Sequence, residues 1–168
     1  MQREGLLFCV SAAGLFAAAE RPSSTTDLDA FMEDMYREII LDHARNQRHW
    51  GLLHPNDLDH EESNPLCGDR LRLTLRLNSD DVITAVGWDG EGCAISQASA
   101  SMFGEEILGM RLDEARAINK QHLLDNIGLP LSINRVKCAL LPLKVLVIGA
   151  YGQQGSERWM LIETGEDS

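Results

Sequence analysis

The chain has little cysteine: four residues in 168. That density is far below what a disulfide-stapled secreted domain needs, and a chain of this length folds without staples. Positive charge is also scarce, with 15 Lys and Arg against 26 Asp and Glu, a net charge of −11. Such a surface repels phosphate, which argues against nucleic acid and equally against an anionic membrane. The apolar run from Leu6 to Ala19 is too short to cross a bilayer as a helix. Repeats, low-complexity tracts and domain linkers are missing as well, which leaves one domain. An apolar fraction of 44% is enough to give that domain a core.

The run from Leu6 to Ala19 ends in three alanines and loosely has the shape of a secretory signal, but Arg3 is cancelled by Glu4. It is read as a poorly ordered extension, residues 1–26, with Met32 and Met35 as internal candidates for the start. A cytoplasmic location follows from the thiol site described below. Residues 27–152 are expected to form the working domain and residues 153–168 a partly ordered tail.

Along the domain, Leu28, Phe31, Met32, Met35, Ile39 and Ile40 recur at helical spacing, predicting a helix from about Asp27 to Arg48. His49 to Pro65 reads as loop. Leu71, Leu73, Leu75 and Leu77 alternate with Arg72, Thr74 and Arg76, the period of a half-buried strand. Asn78 to Asp81 turns the chain, and Val82 to Trp88 returns as a second strand. Asp89 to Gly92 reads as a glycine loop, Ala94 to Leu108 as a helix, and Asp113–Asn119 and Lys120–Ile127 as short helices. Val136 to Ala150 is predicted as one final apolar helix, with Pro142 near its first turn. The fold class is α+β, a small hairpin-centred antiparallel sheet packed against several helices.

Three clusters carry chemistry: Asn64–Asp69 (NPLCGD) before the hairpin, Gly90–Ser96 (GEGCAIS) after it, and Arg135–Ala139 (RVKCA) at the start of the last helix. A hairpin brings its two ends together, so Cys67 and Asp69 are expected beside Cys93. Cys93 and Cys138 are both expected near helix N-termini, where thiolate is favoured, with Arg135 and Lys137 adding positive charge. Three thiolates and a carboxylate suit zinc, iron or an iron–sulfur cluster, and the harder carboxylate makes the site easier to open. A structural zinc module used only for protein binding is the alternative. A cysteine hydrolase built on Cys93 has no histidine partner placed by sequence. Cys9 stands alone and reads as a small apolar residue. His43 reads as a surface or interface residue, His49, His54 and His60 as solvated, His122 as having no ligand spacing, and Trp88 as a strand-end core residue.

The three clusters, in this order around a hairpin, resemble the signature of the U-type iron–sulfur assembly proteins, the IscU, SufU and NifU N-terminal family. The resemblance runs from about Met35 to Ala150, and Tyr36–His43 is similar to that family's opening helix. It implies that Cys67, Asp69, Cys93 and Cys138 hold a metal or a [2Fe–2S] cluster, with Asp69 the exchangeable member. It implies Cys138 or Cys67 as the sulfur acceptor and Arg135 as a supporting residue. A cysteine desulfurase is the implied partner, followed by downstream iron–sulfur carriers or apo-proteins. Lys137 stands where IscU-type members carry histidine, and their LPPVK segment is missing, which leans towards SufU. The 45 positions between Cys93 and Cys138 are closer to IscU.

Overall fold

The structure is a computed structural model that describes residues 25–166. Residues 1–24 of the expected extension, with the apolar run and Cys9, lie outside the described residues, while Thr25 and Thr26, expected as its end, open the first helix. Chain order is α1 (Thr25–Arg45), β1 (Leu58–Asn64), β2 (Asp69–Leu77), β3 (Ile83–Glu91), α2 (Ala94–Ile107), α3 (Leu112–Ala115), α4 (Lys120–Ile127), α5 (Ile133–Ala139), α6 (Leu141–Tyr151) and α7 (Gly155–Thr164). A short 3₁₀ turn, Gly152–Gln154, joins the last two helices.

The strands form one antiparallel sheet in the order β1-β2-β3. Leu71, Leu73 and Leu75 of β2 are fully buried and stand opposite Gly90, Trp88 and Val86 of β3. Phe103 and Ile107 of α2, with Leu143, Leu146 and Val147 of α6, close the core over that face. On the other face, Arg70 and Arg72 pair with Glu61 and Asp59 of β1 at 2.8 and 2.7 Å. The alternating pattern of β2 therefore maps onto core and solvent except at Thr74, which is buried on the arginine face, accepting the Leu53 N–H and donating to the Gly87 carbonyl.

The segment expected as loop contains β1, whose sequence LDHEESN is almost wholly polar. It pairs along its length with β2, from Leu58 opposite Leu75 to Asn64 opposite Asp69. Its inward polar side chains are satisfied, since Glu62 takes Lys144 at 2.9 Å and His60 at 3.0 Å. Gly149 of α6 lies against His60, where a methyl group would collide with its Cβ at 2.7 Å. That close approach lets α6 cover the edge strand.

The single final helix expected from Val136 is two helices that break at Leu140, and Pro142 lies in the first turn of the second. Gly155–Thr164, expected as tail, is a helix that buries Trp159 and Ile162 against the core. The apolar stripe of α1 is not core: Leu28, Phe31, Met32, Met35 and Ile39 are exposed and only Ile40 is buried. The helix is fixed instead through its C-terminal end. There Ser101 of α2 accepts the Arg48 backbone N–H at 2.8 Å and bonds His43 Nδ1 at 2.9 Å.

Candidate metal and sulfur site

The site grows out of the β1–β2 turn. Asn64 and Asp69 are paired across the two strands, so Pro65 to Gly68 must reverse the chain within four residues. Asn64 closes this turn with its side chain, accepting the Leu66 backbone N–H on Oδ1 at 3.1 Å. The Gly68 N–H donates to the Asn64 carbonyl at 2.9 Å, and Gly68 adopts φ +75°. Cys67 is thus carried on the tip of the turn and exposed. Asp69, two residues on, is the first residue of β2 and is buried.

On the other side of β2, Arg70 pairs with Glu91, which brings the end of β3 and Cys93 to the same end of the sheet. Cys93 is the N-cap of α2, and its backbone N–H donates to Asp69 Oδ1 at 3.1 Å. Gly92 makes room for the carboxylate, since a methyl group there would meet Asp69 Cγ at 2.9 Å. Cys138 arrives from α5. The Ser99 hydroxyl donates to the Ala139 carbonyl at 2.6 Å, locking the end of α5 to α2.

Cys67 Sγ and Cys138 Sγ are 3.0 Å apart. With one carboxylate oxygen of Asp69 they form a group whose ligand atoms all lie within 4.8 Å of one another. Asn64 Nδ2 points at Cys138 Sγ from 3.8 Å. Cys93 is adjacent through its backbone, but its sulfur is not part of that group. Arg135 is exposed on α5 and lines a shallow cavity with Glu33, Arg37, Ile95 and Leu131 instead of joining the thiols. Lys137, beside Cys138, pairs with Glu163 of α7 at 3.1 Å. A larger cavity of about 460 Å³ lies behind Asn64 and Leu66, and Trp159 and Glu163 of α7 form part of its wall.

One electrostatic expectation is corrected. Cys138 sits in the last turn of α5, at the negative end of a helix, and not at a helix N-terminus. Burial pushes its thiol well above the ordinary range, and neighbouring Cys67 and Asp69 raise it further. A bare Cys138 therefore holds its proton. For Asp69 burial acts upwards, but the neighbouring thiols of Cys138 and Cys67 and the Ser96 hydroxyl outweigh it and lower the carboxyl below its usual value. Its Oδ2 is nonetheless buried without a hydrogen-bond partner among the described residues. An ionised oxygen left bare beside two close sulfurs, one of them a thiol that burial keeps protonated, is an unfavourable arrangement for a closed core and a favourable one for a cation. The donor set fits zinc or iron.

Asn64 is a site residue that sequence reasoning quoted but did not single out. Its signal was the Asn-Pro pair two residues before Cys67, a turn former whose side chain is free to face the turn.

Comparison with known proteins agrees with this geometry. The family described as NifU-like N terminal domain matches residues 35–156. The chain belongs to that family. The zinc-dependent sulfurtransferase SufU of Bacillus subtilis is 33% identical over 144 residues, covering 76% of this chain and 97% of that protein. The iron–sulfur cluster assembly scaffold protein IscU of Thermotoga maritima is 35% identical over 128 residues, covering 67% and 89%. Among solved structures, a putative iron–sulfur cluster assembly scaffold protein for the SUF system from Fervidobacterium islandicum superposes with a TM-score of 0.57 at 30% identity. It covers 67% of this chain and 94% of that one. The family match ends at residue 156, so nearly all of α7 lies beyond it. No helix among the described residues is long and apolar enough to cross a membrane.

Proposed function

We propose that this chain accepts persulfide sulfur from a cysteine desulfurase at the Cys67–Cys138 pair during iron–sulfur cluster assembly. Cys67, Asp69, Cys93 and Cys138 would hold zinc or iron, or carry a [2Fe–2S] cluster as cargo for downstream carriers or apo-proteins. The carrying observation is the pair of sulfurs 3.0 Å apart beside a buried carboxylate oxygen with no hydrogen-bond partner among the described residues. Membership of the NifU-like N-terminal family supports the same reading, as does likeness to both a zinc-dependent sulfurtransferase and a cluster scaffold.

Each residue has a task under this reading. The exposed Cys67 on its turn meets the donor. Asn64 directs an N–H at the Cys138 sulfur and fixes the turn that carries Cys67. Asp69 holds the Cys93 backbone N–H on one oxygen and keeps the other free as the exchangeable ligand. A bound zinc would supply the positive charge that favours thiolate in the coordinating cysteines. Cys93, the N-cap of α2, completes the set from a helix end that favours negative charge. Arg135, exposed on α5 and apart from the thiols, would support the site from outside. Thiols kept reduced require a cytoplasmic setting.

The test is metal and acid-labile sulfide analysis of anaerobically purified protein, followed by persulfide mapping after incubation with a cysteine desulfurase. Zinc or iron with sulfur on Cys67 or Cys138 is the expected result. Tightly held zinc with no sulfur uptake would leave the structural zinc module standing instead.

A further inference from the structure

The two candidate acceptors are unequal as well as close. Cys67 is exposed on a turn, whereas Cys138 is buried on a helix fixed by Ser99, with the Cys67 sulfur 3.0 Å away. We propose that they act as acceptor and resolver: a persulfide taken up on Cys67 is cleaved by Cys138, and its outer sulfur leaves as hydrosulfide. This rests on the acceptor reading above and adds to it an intramolecular sulfide-releasing activity.

Uptake and sulfide release balance without an outside oxidant or reductant. In the first step the Cys67 thiolate attacks the outer sulfur of a donor persulfide. A new S–S bond forms on Cys67, the donor's S–S bond breaks, and the donor leaves as a thiolate. In the second step Cys138 Sγ attacks the inner sulfur, Cys67 Sγ. The Sγ–Sγ bond forms, the bond to the outer sulfur breaks, and its electron pair departs with hydrosulfide. The sulfane sulfur is reduced to sulfide while the two cysteines are oxidised to one disulfide. The Cys138 proton leaves with the departing hydrosulfide. A dithiol reductant then restores the two thiols.

Placement favours this order. An incoming donor meets the exposed Cys67, while the buried Cys138 keeps its sulfur 3.0 Å from that of Cys67. Holding the two sulfurs together replaces a bimolecular collision by an internal one. Cys93 is outside the close group and is not the resolver. A metal that holds both sulfurs excludes the step, so release belongs to the metal-free chain.

The experiment adds one equivalent of glutathione persulfide to the metal-free full chain under anaerobic conditions, then measures free sulfide and maps the peptides. The expected result is close to one equivalent of sulfide and a peptide pair joined through Cys67 and Cys138. Cys138→Ser and Cys138→Ala, both checked for native circular dichroism, should keep the persulfide on Cys67 and release sulfide at least about tenfold more slowly. A wild-type chain that retains its persulfide as long as these variants, or whose disulfide joins Cys93, would overturn the resolving step and leave the acceptor intact. A chain whose Cys67 takes up no sulfur would instead overturn the acceptor reading, and the resolving step with it.

Discussion

Asp69 is under electrostatic tension, because one of its oxygens is buried without a partner among the described residues while the other holds the Cys93 N–H. Replacing it by Asn keeps an oxygen for that N–H and removes the buried charge. Asp69→Asn should therefore leave the metal-free fold within about 1 kcal/mol of wild type, while zinc is lost to a chelator faster. Denaturant unfolding and chelator competition check the two halves separately. An equal rate of zinc loss would mean that the carboxylate is only a cap for α2. Asn64, a turn former in the sequence, proves to be the residue that links Cys67 to Cys138. Its role was not legible because the partner, Cys138, is 74 positions away in the chain, and only the packing of α5 against the sheet makes them neighbours.

Elements were legible in proportion to how strongly their burial is written as periodicity. The β2–β3 hairpin was legible in the leucine alternation of β2, but β3 runs three residues past the expected Trp88, and Asp89, Gly90 and Glu91, expected as glycine loop, pair with Arg72, Leu71 and Arg70. The polar strand β1 was missed, since its inward groups are a histidine and a glutamate satisfied by ion pairing instead of by apolar packing. The break at Leu140 was hidden inside a continuous apolar run, and it moved Cys138 from a helix start to a helix end. Helix α7 carries only a few apolar residues, so its periodicity was too faint to separate it from a tail. Its anchor is Trp159, and Trp159→Ala should cost about 3 kcal/mol in urea unfolding. A loss below about 0.5 kcal/mol, the range of exposed sites, would mean that α7 is not packed.

The attachment of α1 gives a prediction with a definite sign. Burial holds His43 below the ordinary imidazole value near 6.5, and Arg48 lowers it further, against smaller opposing effects of Glu105 and Asp42. The native state therefore favours the neutral ring, and the unfolded chain takes up the proton first as pH falls. The contribution of His43 is complete above the ordinary imidazole value and is lost progressively as the pH drops below it. The melting temperature should fall between pH 7.5 and 5.5 more steeply for wild type than for His43→Gln. Parallel falls would show that the ring is not a linked group.

For the molecule as a whole, the sheet acts as a frame that collects distant residues at one end. The β1–β2 turn brings Cys67 and Asp69, the end of β3 brings Cys93, and α5, bonded to α2, brings Cys138. Sequence alone foretold the composition of this end and the family resemblance, and the family match over residues 35–156 establishes the membership. What it left open was the unequal standing of the three thiols, which depends on packing: Cys67 exposed, Cys138 buried, Cys93 set apart from the close pair. The acidic surface, with its net charge of −11, suits partners that present basic patches.

X-ray absorption at the zinc edge of the zinc-loaded chain tests the metal-holding claim most directly. Sulfur neighbours at about 2.3 Å together with one oxygen at about 2.0–2.2 Å, the oxygen lost in Asp69→Asn, are the predicted result. A shell of oxygen and nitrogen alone, or zinc that washes off the wild-type chain, would contradict it.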